Sequence, residues 1–164
     1  MAESFPPLPP ELIEFAHGGR SLLVGTCDKD LEPECMRAMG IRIAPDGLRL
    51  GVYLPVATAA RTIANLRSNP RISLTLSQIS THRTLQIKGA VLDIADGTEE
   101  DHAFVNQYRD MFAADLAWAG QSKANTLALT NWPCHAVLVE IAVVYTQTPG
   151  PNAGLQLPVV GVKL

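Results

Sequence analysis

The chain has only three cysteines, Cys27, Cys35 and Cys134, an odd number with no CxxC spacing. That speaks against a disulfide framework or a zinc site and favours buried or incidental thiols. Charge is also sparse. Asp, Glu, Lys and Arg make up 18% of the residues, and the net charge of −3 offers nucleic acid no bulk attraction. No apolar run reaches the ~18 residues that cross a bilayer. The N-terminus lacks a basic stretch followed by an apolar one, so no signal peptide is read and a reducing cytoplasm is the expected compartment. Several catalytic fingerprints are missing: there is no GxGxxG after a strand, no GxxxxGK(S/T), no HExxH and no GxSxG. The four histidines, His17, His82, His102 and His135, are scattered without metal-ligand spacing, which favours surface or structural roles.

What is abundant is apolar side chains, 47% of 164 residues. A chain of this length makes one domain, residues 1–164, and buries roughly two thirds of its unfolded surface without a staple. The apolar excess points to a further buried surface, such as a homodimer interface.

Residues 1–7 read as a loose tail. Pro9 and Pro10 start a helix that Gly18-Gly19 ends. Ser21–Cys27 is a short strand, and Asp28 to Pro33 a turn. From Arg37 to Ile43 the residues alternate, with Met39, Ile41 and Ile43 on one face and Gly40 and Arg42 on the other. Pro45-Asp46-Gly47 turns the chain into a second alternating run, Leu48 to Leu54. A short helix follows with Thr58 as N-cap and Ala60, Ile63 and Ala64 inward. Asn69-Pro70 stops it. Ile72, Leu74 and Leu76 form a half-buried strand.

The strand His82 to Ala95 carries a phase flip. Leu85 and Ile87 have one parity, Leu92 and Ile94 the other, so a β-bulge near Gly89-Ala90 is expected to keep both pairs inward. Thr98 and Asp101 suggest a capping box for the longest helix, about Glu99 to Ala119. Residues 121–133 read as a loop, His135 to Thr146 as a β-branched strand, and Leu155 to Val162 as a short closing strand. Six short strands plus a bulge imply a mainly β fold, an antiparallel barrel with flanking helices.

Arginines stand out against the sparse charge. Arg37, Arg42, Arg61, Arg67, Arg71 and Arg83, with Lys88, all fall between residues 37 and 88. Arginine's planar fork grips phosphate oxygens bidentately. The start of the central helix adds free N–H groups and a favourable dipole, and the hydroxyls of Thr58 and Thr62 could complete such a shell. The plainer reading is a set of solvated surface charges.

The run PECMRAMGIRI, DGLRLGVYL, TAARTIANLRSNPRISLTL and RTLQIKGAVLDI resembles the pyridoxamine 5′-phosphate oxidase-like, FMN-binding split-barrel family. There, an R-x-x-x-x-K strand, an S-R-K … L-x-x-N-P-R segment and a Q-V-R-I-x-G strand occur in that order. Here they correspond to Arg37–Arg42, Ala60-Arg61-Thr62 to Arg71, and Thr84–Gly89. The TQTPGPNAG run, Thr146 to Gly154, also looks like tails of relatives. The resemblance implies a six-stranded antiparallel Greek-key split barrel that dimerises with FMN at the dimer interface.

By position, it implies that Arg37 contacts the FMN phosphate and that Arg61 matches the middle of the triplet. It places Met39 and Gly40 along the isoalloxazine ring, Thr84 or Gln86 at the ring or ribityl chain, and Arg42 at a small-molecule substrate. The triplet's serine and lysine are replaced by Ala60 and Thr62, and the oxidase's closing tryptophan–arginine signature is missing. Authentic pyridoxamine phosphate oxidation is therefore not expected. Trp132 is either a ring-stacking substitute or a core or interface residue. The reading that results is a flavin-dependent oxidoreductase. Its rivals are a haem-binding or haem-degrading barrel ligated through a histidine such as His135, and a non-enzymatic flavin or deazaflavin carrier.

Overall fold

The computed structural model describes residues 7–159. Residues 1–6 of the expected tail and 160–162 of the expected closing strand lie outside them. Among the described residues seven strands form: β1 (Ser21–Cys27), β2 (Pro33–Arg37), β3 (Gly40–Ile43), β4 (Arg49–Pro55), β5 (Arg71–Ser77), β6 (Thr84–Asp96) and β7 (Cys134–Thr146). Their inward residues, among them Leu22, Val24, Ile41, Leu50, Leu74, Ile87, Val137 and Val139, are almost wholly excluded from water and make one core. Each such side chain contributes about 1.5–3 kcal/mol by burial, so the alternation of apolar residues is what holds the sheet in register.

All pairings are antiparallel, in the order β2-β1-β5-β6-β7-β4-β3. β2 and β3 are the two edges, yet only Ala38 and Met39 separate them in the chain. Ala38 N–H donates to Leu22 O (3.1 Å) and Met39 N–H donates to Tyr53 O (2.9 Å). The chain thus passes from β1 to β4 between successive residues and curls the sheet into a split barrel. Six strands were expected and seven form among the described residues: the strand read as Arg37 to Ile43 is β3 (Gly40–Ile43) alone, and the unforeseen β2 precedes it, ending at Arg37 where the chain changes partner.

The same step resets facing. Met36 and Ala38 belong to the core, Met39 to an outer apolar cluster with Tyr53, Val105 and Cys134, and Ile41 and Ile43 to the core again. Met39 therefore does not share a face with Ile41 and Ile43, as the plain alternation predicted. Arg37 and Arg42 both end up on the outer side despite their odd spacing.

Among the described residues four helices flank the barrel: α1 (Pro10–His17), α2 (Ala60–Ser68), α3 (Glu99–Trp118) and α4 (Lys123–Leu127). The Thr98–Asp101 capping box of α3 is present. α4 falls inside the expected loop. The N-cap of α2 is Ala59 rather than Thr58, without a side-chain bond. The backbone N–H groups of Thr58 and Ala59 both turn back to Pro55 O, which leaves Thr58 exposed before the helix.

The irregularity foreseen in β6 appears as two register shifts against β7, between Lys88 and Gly89 and between Val91 and Asp93. Val91 and Ile94 pack on the core, whereas Leu92, expected inside, is 51% exposed at the second shift. After β7, the expected strand from Leu155 is reduced among the described residues to a single bridge, Tyr145 to Gln156. No helix among them is long and apolar enough to cross a membrane.

Candidate functional site

The first turn of α2 carries Arg61 and Thr62. Arg61 Nε lies 3.3 Å from Glu34 Oε2. Glu34 shares the inward parity of Met36 on β2, where it sits opposite Thr26. Asn65 of α2 donates from Nδ2 to Thr26 Oγ1 (3.1 Å), tying the helix to the barrel mouth. Thr62 is completely buried, and its Oγ1 has no partner among the described residues. Ala60 has no hydroxyl to offer. A phosphate at this helix start would meet, beside Arg61, a carboxylate that repels it. The helix dipole, worth about 0.3–1 kcal/mol, would be the main attraction left.

Arg37 ends β2 with the opposite parity, on the outer face. Its Nη1 donates to Ser21 Oγ (3.1 Å), and its guanidinium sits 5.3 Å over the Phe112 ring of α3. The expected convergence of Arg37 and Arg61 therefore does not occur within one chain, because the sheet lies between them. Arg37 instead lines a crevice of about 10 Å³ with Arg20, Met39, Tyr108, Arg109 and Phe112. Arg20 Nε donates to Phe15 O (2.8 Å), and its backbone N–H donates to Tyr108 Oη (3.1 Å). Burial lowers the Arg20 pKa, an effect that Asp115 partly offsets. Arg20 and Arg109 are functional candidates that sequence reasoning missed. Arg109 lies three residues before Phe112, a spacing that becomes informative only once the buried face of α3 is known.

Strand register carries Arg37 onward. Directly opposed residues run Arg37, Leu23, Thr75, Gln86 and Tyr145 across β2, β1, β5, β6 and β7. This row lies on the outer face, because its neighbours Leu22, Leu74, Leu76, Leu85 and Ile87 face the core. Arg37 and Gln86 are three strand spacings apart, about 14 Å. Thr84 belongs to the adjacent row, beside Ser77, and its Oγ1 donates to Ser77 Oγ (3.0 Å). The helices pack chiefly against β1, β2 and β3, and among the described residues none packs extensively on the outer face of β5 and β6, although Asp115 of α3 accepts from Ile79 and Ser80 in the turn between them.

The other sequence candidates fall elsewhere. Met39 and Gly40 are buried, and a side chain at position 40 would press on Tyr53, Phe104 and Tyr108. Arg42 is held by Glu100 (3.1 Å) and Asp101 (3.7 Å) and lies 4.4 Å over the Phe104 ring. Asp101 also accepts from Tyr53 Oη (2.6 Å). Burial opposes ionisation of Asp101, but the bonds from Tyr53 and Thr98 and the Arg42 charge outweigh it and lower the carboxyl pKa. Burial and the Asp101 bond together raise that of Tyr53. Arg42 could meet a substrate anion only by leaving these carboxylates.

Trp132 stacks on His102 with centroids 4.5 Å apart and packs against Gly97, which is a structural role in this chain. His135 Nδ1 lies 3.7 Å from Asp96, and His17 Nε2 accepts from Ile43 N–H (2.8 Å). Among the described residues no group of three or more His, Cys, Asp or Glu could hold a metal ion. Burial pushes the Cys134 thiol up to about 12, so it is an inert packing residue at neutral pH.

Comparison with known proteins agrees with this architecture. HupZ of Group A Streptococcus superposes with a TM-score of 0.56 at 14% identity, over 90% of this chain and 99% of that one. An FMN-binding protein from Syntrophomonas wolfei superposes at 0.53 and 12% identity, over 83% and 86%. A candidate pyridoxamine 5′-phosphate oxidase from Lactobacillus delbrueckii superposes at 0.52 and 13% identity, over 85% and 93%. At such identities the likeness establishes the fold alone. No curated protein matches the sequence. The family model described as pyridoxamine 5′-phosphate oxidase matches residues 8–132, most of the chain, and the chain therefore belongs to that family.

Proposed function

We propose that this protein binds FMN as a redox cofactor and works as an oxidoreductase on a small-molecule substrate, with its site closed by a second copy of the chain. The observation that carries this reading is the register-aligned outer row from Arg37 to Gln86. It sets a cation for the phosphate about 14 Å, or three strand spacings, from a polar side chain for the ring end, on a face where no helix among the described residues packs extensively. The residues present fit the group along this row and do not fit it at the start of α2.

Bound there, the flavin would supply hydride or electron transfer. The chain's own part is to hold the phosphate through Arg37, to present Gln86 and Thr84 toward the far end, and to keep water out. One chain encloses only about 10 Å³ beside Arg37. Sites for ligands of this size enclose roughly 300–1,000 Å³. The missing wall supports a homodimer, and Leu23, 40% exposed in the middle of the row, gives the ligand an apolar surface to lie on.

The test is the absorbance spectrum of freshly purified protein, followed by titration of the flavin-free protein with FMN. Flavin bands are expected, and Arg37→Ala should weaken binding about tenfold or more while the fold persists, since a charge-assisted bond is lost. Absence of any FMN binding would overturn the reading, and a Soret band instead would move the cofactor to haem.

A further inference from the structure

We infer that Cys27 and Cys35 form a redox-responsive dithiol on the outer face of the β1–β2 hairpin. Under thiol-oxidising conditions it closes to a disulfide and fixes the edge strand β2 to β1. This goes beyond the flavin reading and does not depend on it.

Register brings the two sulfurs together. Cys27 stands directly opposite Pro33, and Gly25 directly opposite Cys35, so the cysteines are diagonal neighbours on paired strands. Both have the outer parity, because Val24 and Met36, which alternate with them, face the core. Diagonal neighbours on one face have Cα atoms about 7–8 Å apart and side chains closer still, and the right-handed twist of an antiparallel pair shortens this diagonal. A disulfide spans about 4.4–6.8 Å between Cα atoms, so closure asks for a shift of about 1–2 Å. β2 can supply it, since it is an edge strand paired with β1 alone.

A second observation shows what the shift would exchange. Asn69, the C-cap of α2, donates from Nδ2 to Cys27 Sγ (3.2 Å). The Cys27 sulfur therefore has two alternative partners: Asn69 when reduced and Cys35 when oxidised. The bond from Asn65 to Thr26, the residue before Cys27, holds α2 on β1 in either state. The exchange thus needs no unfolding of the helix.

Access sets the order of events. Cys35 is exposed, Cys27 is half-buried, and Cys134 is buried and takes no part. With glutathione disulfide as oxidant, the Cys35 thiolate attacks one sulfur of the oxidant and expels one glutathione thiolate. The Cys27 thiolate then attacks the Cys35 sulfur and expels the second. The cysteines give up two electrons and two protons, and the two glutathiones take them. In a reducing compartment the dithiol is the resting form and the bond is transient.

The test uses the full chain in buffers of reduced and oxidised glutathione, quenched with acid, alkylated, and read by intact mass, peptide mapping and a non-reducing gel. The oxidised buffer should remove two hydrogens from a single chain and link the Cys27 and Cys35 peptides. One of the three thiols, Cys134, should then remain to be alkylated after unfolding. Dithiothreitol should reverse the change, and Cys27→Ser should stop at a glutathione adduct on Cys35. Hydrogen exchange of the β2 amides should be slower in the oxidised form than in the reduced one. The inference is overturned if the wild type keeps all three thiols free in excess oxidised glutathione, or keeps glutathione on Cys35 without forming the link. It is equally overturned if the link joins two chains instead of one, or if the bond leaves β2 exchange unchanged. These wild-type readings decide the matter even if the variant fails to fold, and none of them bears on flavin binding.

Discussion

Replacing Thr62 by valine should stabilise this protein. Thr62 is fully buried on the inner side of α2, and its hydroxyl has no partner among the described residues. Valine has the same branched shape, so the change exchanges an unsatisfied hydroxyl for a methyl group and leaves no cavity. A buried hydroxyl without a partner costs about 1–3 kcal/mol. The helix propensities of threonine and valine are close, so little is lost on that account. Thr62→Val should therefore raise the unfolding free energy by about 1–3 kcal/mol. For a domain of about 150 residues, each kcal/mol moves the melting temperature by about 2–4 °C. Urea unfolding at fixed protein concentration should show a higher midpoint with an unchanged slope. A clear loss of stability would refute the reasoning. It would mean that the hydroxyl has a partner in solution, a water or a ligand oxygen, and that the start of α2 is a polar site after all.

Gly89→Ala should destabilise the fold by about 1–3 kcal/mol, the usual cost of forcing extra atoms into a packed region. The added Cβ would run into Glu140 O and lie 2.7 Å from Val139 Cγ1, where β7 crosses the register shift. Unchanged denaturant midpoints would show that the crossing is looser than described. His17 gives a pH dependence. Burial first, and the Arg42 charge second, lower its pKa, while its neutral Nε2 accepts the Ile43 N–H. The unfolded chain, with a histidine pKa of about 6.5, then binds the proton first. Stability from this group is full above that value and is lost as pH falls through the folded-state pKa. His17→Gln should flatten this dependence in unfolding measured from about pH 7 down to pH 5, whereas a wild type that gains stability on acidification through His17 would contradict the sign.

Most of the strands, the central helix stopped at Asn69-Pro70, the Thr98–Asp101 cap and an irregularity near Gly89 were legible in the chain, whereas β2 and the reduction of the closing strand to one bridge among the described residues were not. Each legible feature follows from forces that act between near neighbours: alternation of apolar residues, the missing N–H of proline, a side chain reaching three residues along. The order of the arginine-bearing segments was equally local, and with it the family. Where the arginines point was not. The partner change at Ala38-Met39 resets the facing of β2 and β3, and a one-residue reset sends a side chain to the other side of a sheet. Arg37 is thereby separated from Arg61 and joined to Arg20 and Arg109, whose positions depend on how α1 and α3 close against the barrel. Sequence by itself determined most of the elements and their order, but not β2 or α4. Only the tertiary structure decided which charged residues line one crevice, because that depends on contacts between residues as distant in the chain as 20 and 108.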